Sequence, residues 1–519
     1  MSRLPASPDL DHLRKQAKRL LRALRAADRE ALARFGSALP AARGLSPTAI
    51  ADLPCRLHDA QSVIAREYGF RSWAELKRHV AWTRSSEAER RATWLGLVFS
   101  EQARQRTLAL RMLRDEPGLA VGDPWLACII GDSERLAAAI AADPEFANRP
   151  GGPLGMPPLA AVVASQLIWE PGFEDRLIAS ARLLIAAGAD LNGRWIDPRF
   201  PENPLPVLYG ATGRTHHPGM TQLLLEAGAD PNDNESLYHS MESRDPACTR
   251  LLLAAGAKVA GTNAIGRALD YDRIESLKLL LAQGSDGGER RWLHHAIMRG
   301  RSAAHVTALI TAGADLQATN RRGRNAYRVA RLQGREDIAA LIAAAGAAEP
   351  LSAEEEFVAA CSRADLAAAR AMLDADPGLL GRLDDGLLTM MPQLAAIGRI
   401  EAVRTMLAMG WPREVKTAWE ATALNLAIFV GDAAMTWLLL EQGADWRTKH
   451  GYGDNALGTL SFASQAEDVG EPAPRDYAGS AAALLDHGVP LGEFRRYGFS
   501  DDVQDLLDAR TASDEVVAD

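Results

Sequence analysis

Residues 325–347 read NAYRVARLQGREDIAALIAAAGA, and this stretch decides the fold. Tyr327, Ala330 and Leu332 mark one short apolar helix. A polar turn follows at Gln333-Gly334-Arg335, and Ile338, Leu341 and Ile342 then mark a second apolar helix. Gly346 closes that helix, at a position where a left-handed C-cap is cheap for glycine and costly for most residues. Two short helices leave an apolar face bare, so the segment predicts neighbours of its own kind stacked against it.

The neighbours are present. The closing phrase recurs as LLIAAGAD ending at Asp190, LLLEAGAD ending at Asp230, LLLAAGAK ending at Lys258 and LLLEQGAD ending at Asp445. The marker glycines are Gly188, Gly228, Gly256, Gly284, Gly313, Gly346, Gly410, Gly443 and Gly488, spaced 40, 28, 28, 29, 33, 64, 33 and 45 residues apart. The widest gap hides one more unit, closed by Asp376-Pro377, and the same ending stands at Glu116-Pro117 and Asp143-Pro144. About twelve units with a period near 33 predict a helical solenoid.

In these residues the chain resembles the ankyrin repeat family, whose pattern is T-P-L-H-x-A-A-x-x-G-H followed by LLLxxGAD. Residues 325–347 match it without gaps, as does TALNLAIFVGD at 422–432, running on to Gly443-Ala444. The resemblance covers roughly residues 93–510. It implies an all-α ankyrin-repeat solenoid with short hairpin loops, preceded by a small helical region. Residues 1–91 resemble the N-terminal helical region of some bacterial ankyrin proteins. The family mostly binds other macromolecules, so the resemblance implies a protein partner and no particular chemistry.

Composition agrees with this. Of 519 residues, 47% are hydrophobic and 24% charged, enough for a large core and too apolar for a mainly disordered chain. Aromatics make up only 6%, which favours small, closely packed helices. Cys55, Cys128, Cys248 and Cys361 lie far apart without CxxC spacing, so neither a disulfide framework nor a zinc knuckle is expected. Cys128 and Cys361 are read as core thiols. The opening MSRLPASPDLDHLRKQAKRLL lacks a signal-peptide core, and no apolar run suits a membrane span. A cytoplasmic location and no membrane partner are therefore expected.

The net charge of -9 excludes a globally basic nucleic-acid binder. It hides an asymmetry: residues 1–91 carry 18 basic and 10 acidic side chains, or +8, while the remainder carries -17. The excess suits nucleic acid or acidic lipid, but a solvated helix face is the preferred reading, so nucleic acid is not the expected partner. Within this region Leu13, Ala17, Leu20, Leu21 and Leu24 mark an amphipathic helix. Ser72 with Glu75 reads as a capping box. Pro350, followed by Ser352 and Glu355, marks a seam. The expected organisation is a basic helical region at 1–91, a first array at 92–349, a second array with its cap at 350–510, and a flexible tail at 511–519. Long insertions at 165–176 and 461–476 fall between the paired helices.

Function is sought where the sequence departs from the packing pattern. In three successive units His239, Arg267 and His295 occupy one equivalent position of the first helix. Glu242, Asp270, Tyr271 and Arg299 follow three to four residues later, on the same side. Tyr238 adjoins His239, and the preceding unit adds Tyr209 with the pair His216 and His217. The resemblance implies that this side lines a concave surface. His294 stands at the family's structural histidine. Trp169, Trp195, Trp411 and Trp446 are read as exposed anchors in loops or fingers, and Trp94, Trp125 and Trp437 as core. No phosphate-binding loop, HExxH, GxSxG or EF-hand loop occurs. The expectation is a non-catalytic scaffold without cofactor or metal; a small-ligand or enzymatic site at 209–299 is the alternative, and nucleic-acid association through the basic N-terminal helices a further one.

Overall fold

The computed structural model describes residues 4–5, 8–70, 72–100, 103–197, 201–284, 292–466 and 475–517. It contains two compact units. One comprises Met1–Val98, Leu108–Leu119 and Asp505–Asp519; the other comprises Phe99–Thr107 and Ala120–Gln504. No helix among the described residues is long and apolar enough to cross a membrane.

In the first unit, helix Leu10–Arg25 starts at Asp9, whose carboxylate accepts the His12 N–H at 2.8 Å. Its buried stripe is Leu13, Ala17, Leu20, Leu21 and Leu24. These side chains share a core with Phe35 of helix Arg29–Ala38 and with Ala60, Val63 and Ile64 of helix Leu57–Glu67. Arg34 ties the last two helices together by donating to both oxygens of Glu67, at 2.7 Å each. The Glu75 side chain, expected to complete a capping box with Ser72, lies outside the described residues.

The second unit is one helix–turn–helix pair after another, from Pro124–Ile130 with Ser133–Ala142 to Ala456–Gln465 with Tyr477–Asp486. First helices pack on first helices and second on second: Trp292–Met298 lies on Ala326–Leu332, and Ala303–Thr311 on Glu336–Ala344. This is an all-α solenoid. Among the described residues, strand pairing is confined to the hairpin fingers, as where Arg194–Trp195 meets Leu205–Pro206 antiparallel. All nine marker glycines take φ between +74° and +105°. The polar turn inside several pairs is also left-handed, at Gly131, Gly300, Gly334, Gly398 and Gly431, and at Gly334 glycine has a second reason. A Cβ on Gly334, at φ +65°, would stand 2.4 Å from the Ser362 carbonyl oxygen of the next unit.

Polar rungs join the units. Arg273, Arg301, Arg335 and Arg399 stand at the start of second helices. Each donates back to a turn carbonyl of the preceding unit: Glu242 at 2.9 Å, Asp270 at 3.4 Å, Arg301 at 2.9 Å and Ser362 at 3.5 Å. In the fingers, Asn148, Asn192 and Asn232 accept the backbone N–H of Asp190, Asp230 and Lys258 at 2.7, 2.9 and 2.9 Å. The Gly-Ala-Asp phrase is therefore both the end of a helix and the dock for the previous finger. His294 takes part in the same system, with Nε2 donating to the Arg324 carbonyl at 3.0 Å.

The stack runs on through residue 350. Ser352 and Glu355 form the capping box of helix Ala353–Ser362, which packs on Ala326–Leu332. Glu355 is 2% exposed and receives Arg324 Nε at 2.6 Å and an Arg328 terminal nitrogen at 2.7 Å. Burial alone would raise its pKa; the bonds from the two arginines overcome that and hold it below the usual glutamate value.

The tryptophans divide differently from the expectation. Trp169 is exposed and Trp94 buried, as expected. Trp195 and Trp411 are buried instead. Trp411 turns back from its finger, stacks on Phe357 and donates to the Leu388 carbonyl at 3.0 Å. Trp437 is 45% exposed, lying on the outer side of its helix against His487. Trp125 is half-buried and held by the glycines of its finger, since a Cβ on Gly151 would stand 2.3 Å from its ring. Burial pushes the Cys128 and Cys361 thiols up to about 12.

Two stability outcomes follow from this packing. Gly334→Ala combines left-handed strain with a clash and is expected to cost more than about 2 kcal/mol. Gly323→Ala, at φ +71° in open space, should cost only about 1 kcal/mol. Glu355→Ala leaves two arginines facing an empty buried site and should cost about 3–5 kcal/mol. Urea unfolding followed by circular dichroism checks all three; equal losses for the two glycine variants would refute the inter-unit contact at Gly334.

Candidate functional site

The polar departures of the sequence meet on successive first helices. His239 belongs to helix Ser236–Ser240, Arg267 and Asp270 to Ala264–Asp270, and His295 to Trp292–Met298. His239, Arg267 and His295 are 28 residues apart in sequence, one repeat step each. Glu242 and Asp270 form a second row, also one step apart. Glu242 takes one base from its own unit and one from the next, and Asp270 takes both of its bases from the next. Glu242 accepts His239 Nδ1 at 2.7 Å and Arg267 Nε at 3.1 Å. Asp270 accepts His295 Nε2 at 2.8 Å and Arg299 Nε at 2.7 Å.

Aromatic rings complete the first cluster. The Arg267 guanidinium lies between Tyr238 and Tyr271, 4.9 and 4.5 Å from their ring centroids. His239 stands edge-on to Tyr209 at 4.8 Å and to Tyr238 at 4.9 Å. Tyr209 and Tyr271 are buried, so these rings are fixed supports. The second cluster is more open, with the side chains of His295 at 37% and Arg299 at 43% exposure.

Burial opposes ionisation of both acids, and their basic partners reverse it. Glu242 lies below its usual value through His239 and Arg267, and Asp270 through His295 and Arg299. His239 has both ring nitrogens engaged, Nδ1 on Glu242 and Nε2 with Glu235 at 3.2 Å. Its imidazole is therefore placed as a rigid edge, with neither nitrogen free to act as a base.

The histidine pair divides. His216 has φ +50° and donates from Nδ1 to the Thr212 carbonyl at 2.6 Å. Burial lowers its pKa, opposed by the nearby charge of Glu242. His217 faces elsewhere: it caps helix Pro218–Glu226 by accepting the Met220 N–H at 3.1 Å, and its Nε2 lies 3.3 Å from Glu174. Burial lowers His217 as well, against the carboxylate of Glu174. The two rings do not converge. No group of three His, Cys, Asp or Glu among the described residues is arranged to hold a metal.

Sequence reasoning missed what supports this face. Residues Gly210–Arg214 form a π-helical turn. Gly213 is obligatory within it, since a Cβ would come 2.4 Å from the Tyr209 ring and 2.6 Å from His239 Cβ. The insertion near 165–176 props up this turn: Trp169 Nε1 donates to the Thr215 carbonyl at 2.8 Å, Gln166 donates to Arg214, and the Trp169 ring lies on His217. Residues 467–474 of the other insertion lie outside the described residues.

The fingers are short beside the ladder. Glu235 and Asn263 follow their closing glycines by 7 residues, whereas Asn325 and Thr422 follow theirs by 12. Helix pairs stacked in parallel, left-handed closing glycines and fingers docked on the Gly-Ala-Asp phrase together decide the architecture. The fold is an ankyrin-like repeat solenoid. No family model matches the chain, and no curated protein matches it. Among solved structures it is similar to the human ASB11 ankyrin repeat domain at 20% identity, over 44% of this chain and 98% of that one, with a TM-score of 0.21.

The carboxylate rungs of this ankyrin-like ladder set a pH dependence. Both acids are lowered on folding, so their contribution is complete above the unfolded values of about 4 and disappears as pH falls through the lower folded values. The double variant Glu242→Gln, Asp270→Asn should therefore melt several degrees below wild type at pH 6, the gap closing towards pH 3. A gap independent of pH across that range would show that the carboxylate charges do not contribute.

Proposed function

We propose that the chain is a non-catalytic scaffold or adaptor in the cytoplasm, binding another protein through the concave face of the first array, residues 92–349. The observation that carries this reading is the preformed ladder from Tyr209 to Arg299. Tyrosine, arginine and histidine edges are held in place by neighbouring units, so a partner meets an ordered surface and little side-chain entropy is lost. Tyr and Arg are also the side chains that dominate binding energy at interfaces. The short fingers at Gly228–Glu235 and Gly256–Asn263 leave room for a bulky partner. Four free cysteines, three of them buried, suit a reducing compartment.

The alternative, a small-ligand or enzymatic site in the same cluster, is less well supported. The acids and bases there neutralise one another, and His239 has no free nitrogen.

The test is quantitative co-purification with full-length protein, comparing wild type with His295→Ala, Arg299→Ala and with a distant control, Trp419→Ala. Both substituted basic side chains are partly exposed, so the fold should be kept, as circular dichroism would confirm. A partner retained by the control and reduced at least tenfold by the double variant is expected. Equal capture by all three proteins would move the interface away from this face.

A further inference from the structure

Helix Leu10–Arg25 carries a feature that the scaffold reading does not use. Its buried stripe faces the core, and the opposite side presents Lys15, Lys18, Arg19, Arg22 and Arg25, all exposed. At 100° per residue, Lys15, Lys18, Arg19 and Arg22 fall within one narrow arc, and Arg25 continues it. The row is about 15 Å long at 1.5 Å rise per residue. None of the five has an ion-pair partner among the described residues. Several carboxylates of the same unit are committed elsewhere. Asp9 and Asp28 cap helices, Asp11 holds Arg14 and Glu67 holds Arg34. Asp59 accepts the Arg56 N–H, and Glu89 is bonded to Ser86. A row of like charges on one rigid rod is self-repulsive; residues 15–25 hold no acid, and Asp11, four residues before Lys15, pairs with Arg14.

We propose that this row binds the phosphate backbone of duplex nucleic acid, without reading base sequence. The charge pattern matches a straight, regular polyanion. Other anionic surfaces fit less well. The leucines of this helix are spent in the core, so no apolar wedge remains to enter a bilayer. The helix carries no Phe, Tyr or Trp, and its one histidine, His12, lies outside the row, so the row itself offers no platform for stacking the bases of a single strand. Residues 1–91, at +8, would anchor the chain to a polyanion, while the remainder, at -17, contributes no attraction of its own. This contact is independent of the protein-binding face.

Fluorescence anisotropy with a labelled 20-bp DNA duplex tests it, using full-length protein at 20 to 200 mM salt. Neutralising about five phosphates should give a slope of log affinity against log salt of roughly −4. The variant Lys15→Gln, Lys18→Gln, Arg19→Gln, Arg22→Gln changes only exposed groups to another good helix former. It should keep the wild-type circular dichroism and lose at least tenfold in affinity at 50 mM salt, with the slope reduced to about −1. His295→Ala, Arg299→Ala should bind the duplex as wild type does, which separates this contact from the scaffold face. The proposal is overturned by no binding at 50 mM salt, by unchanged binding in the quadruple variant, or by tighter binding to phosphatidylserine vesicles or polyglutamate than to the duplex.

Discussion

No helix pair in this protein can bury its own apolar faces. The first helices are five to ten residues long in most units, far too short to be stable alone, and each becomes stable only when another pair lies on it. Every other feature follows from that dependence. Turns must be tight enough for the next backbone to approach, so Gly334 faces the Ser362 carbonyl with no room for a Cβ. Backbone groups left open at helix ends must be met by the adjacent unit, and arginine, asparagine and histidine side chains meet them in repeating positions.

The same dependence explains what was legible in the sequence. The closing glycines, the helix faces and the Ser352–Glu355 capping box are local signals with one physical meaning each, and they were read directly. The grouping of His239, Glu242, Arg267, Asp270, His295 and Arg299 was legible because a repeat turns sequence spacing into spatial spacing: 28 residues along the chain is one step across the stack. Their pairing was not legible. Whether Glu242 turns to its own helix or to the next depends on inter-unit offset, which no single unit encodes. The tryptophans show the same limit. Trp195 and Trp411 lie in segments that look like loops, yet their fingers fold back under neighbouring units; Trp437 lies in a helix but on its outer side. Helical periodicity says which face is apolar, not which face is covered.

Ion pairs between units are not confined to the ladder: Arg324 and Arg328 reach Glu355, and Arg331 reaches Glu356, beside buried side chains such as Val329 and Leu332. Between Glu235 and Arg299 the inner row is charged, and stacking there depends on ion pairs between units. Such pairs cost desolvation and are rarely more stabilising than apolar packing, but they fix geometry, because an acid unsatisfied by one slip of register is expensive. Three adjacent units share this exchange, and their marker glycines are spaced 28 or 29 residues apart, closer than the 33 to 64 between the other marker glycines. Shortened fingers and a charged inner row thus occur together. A row needed only for stacking would gain nothing from a cleared approach; a row that must also be reached by another molecule needs one. The coincidence of the two is what supports the proposed recognition face between Tyr209 and Arg299.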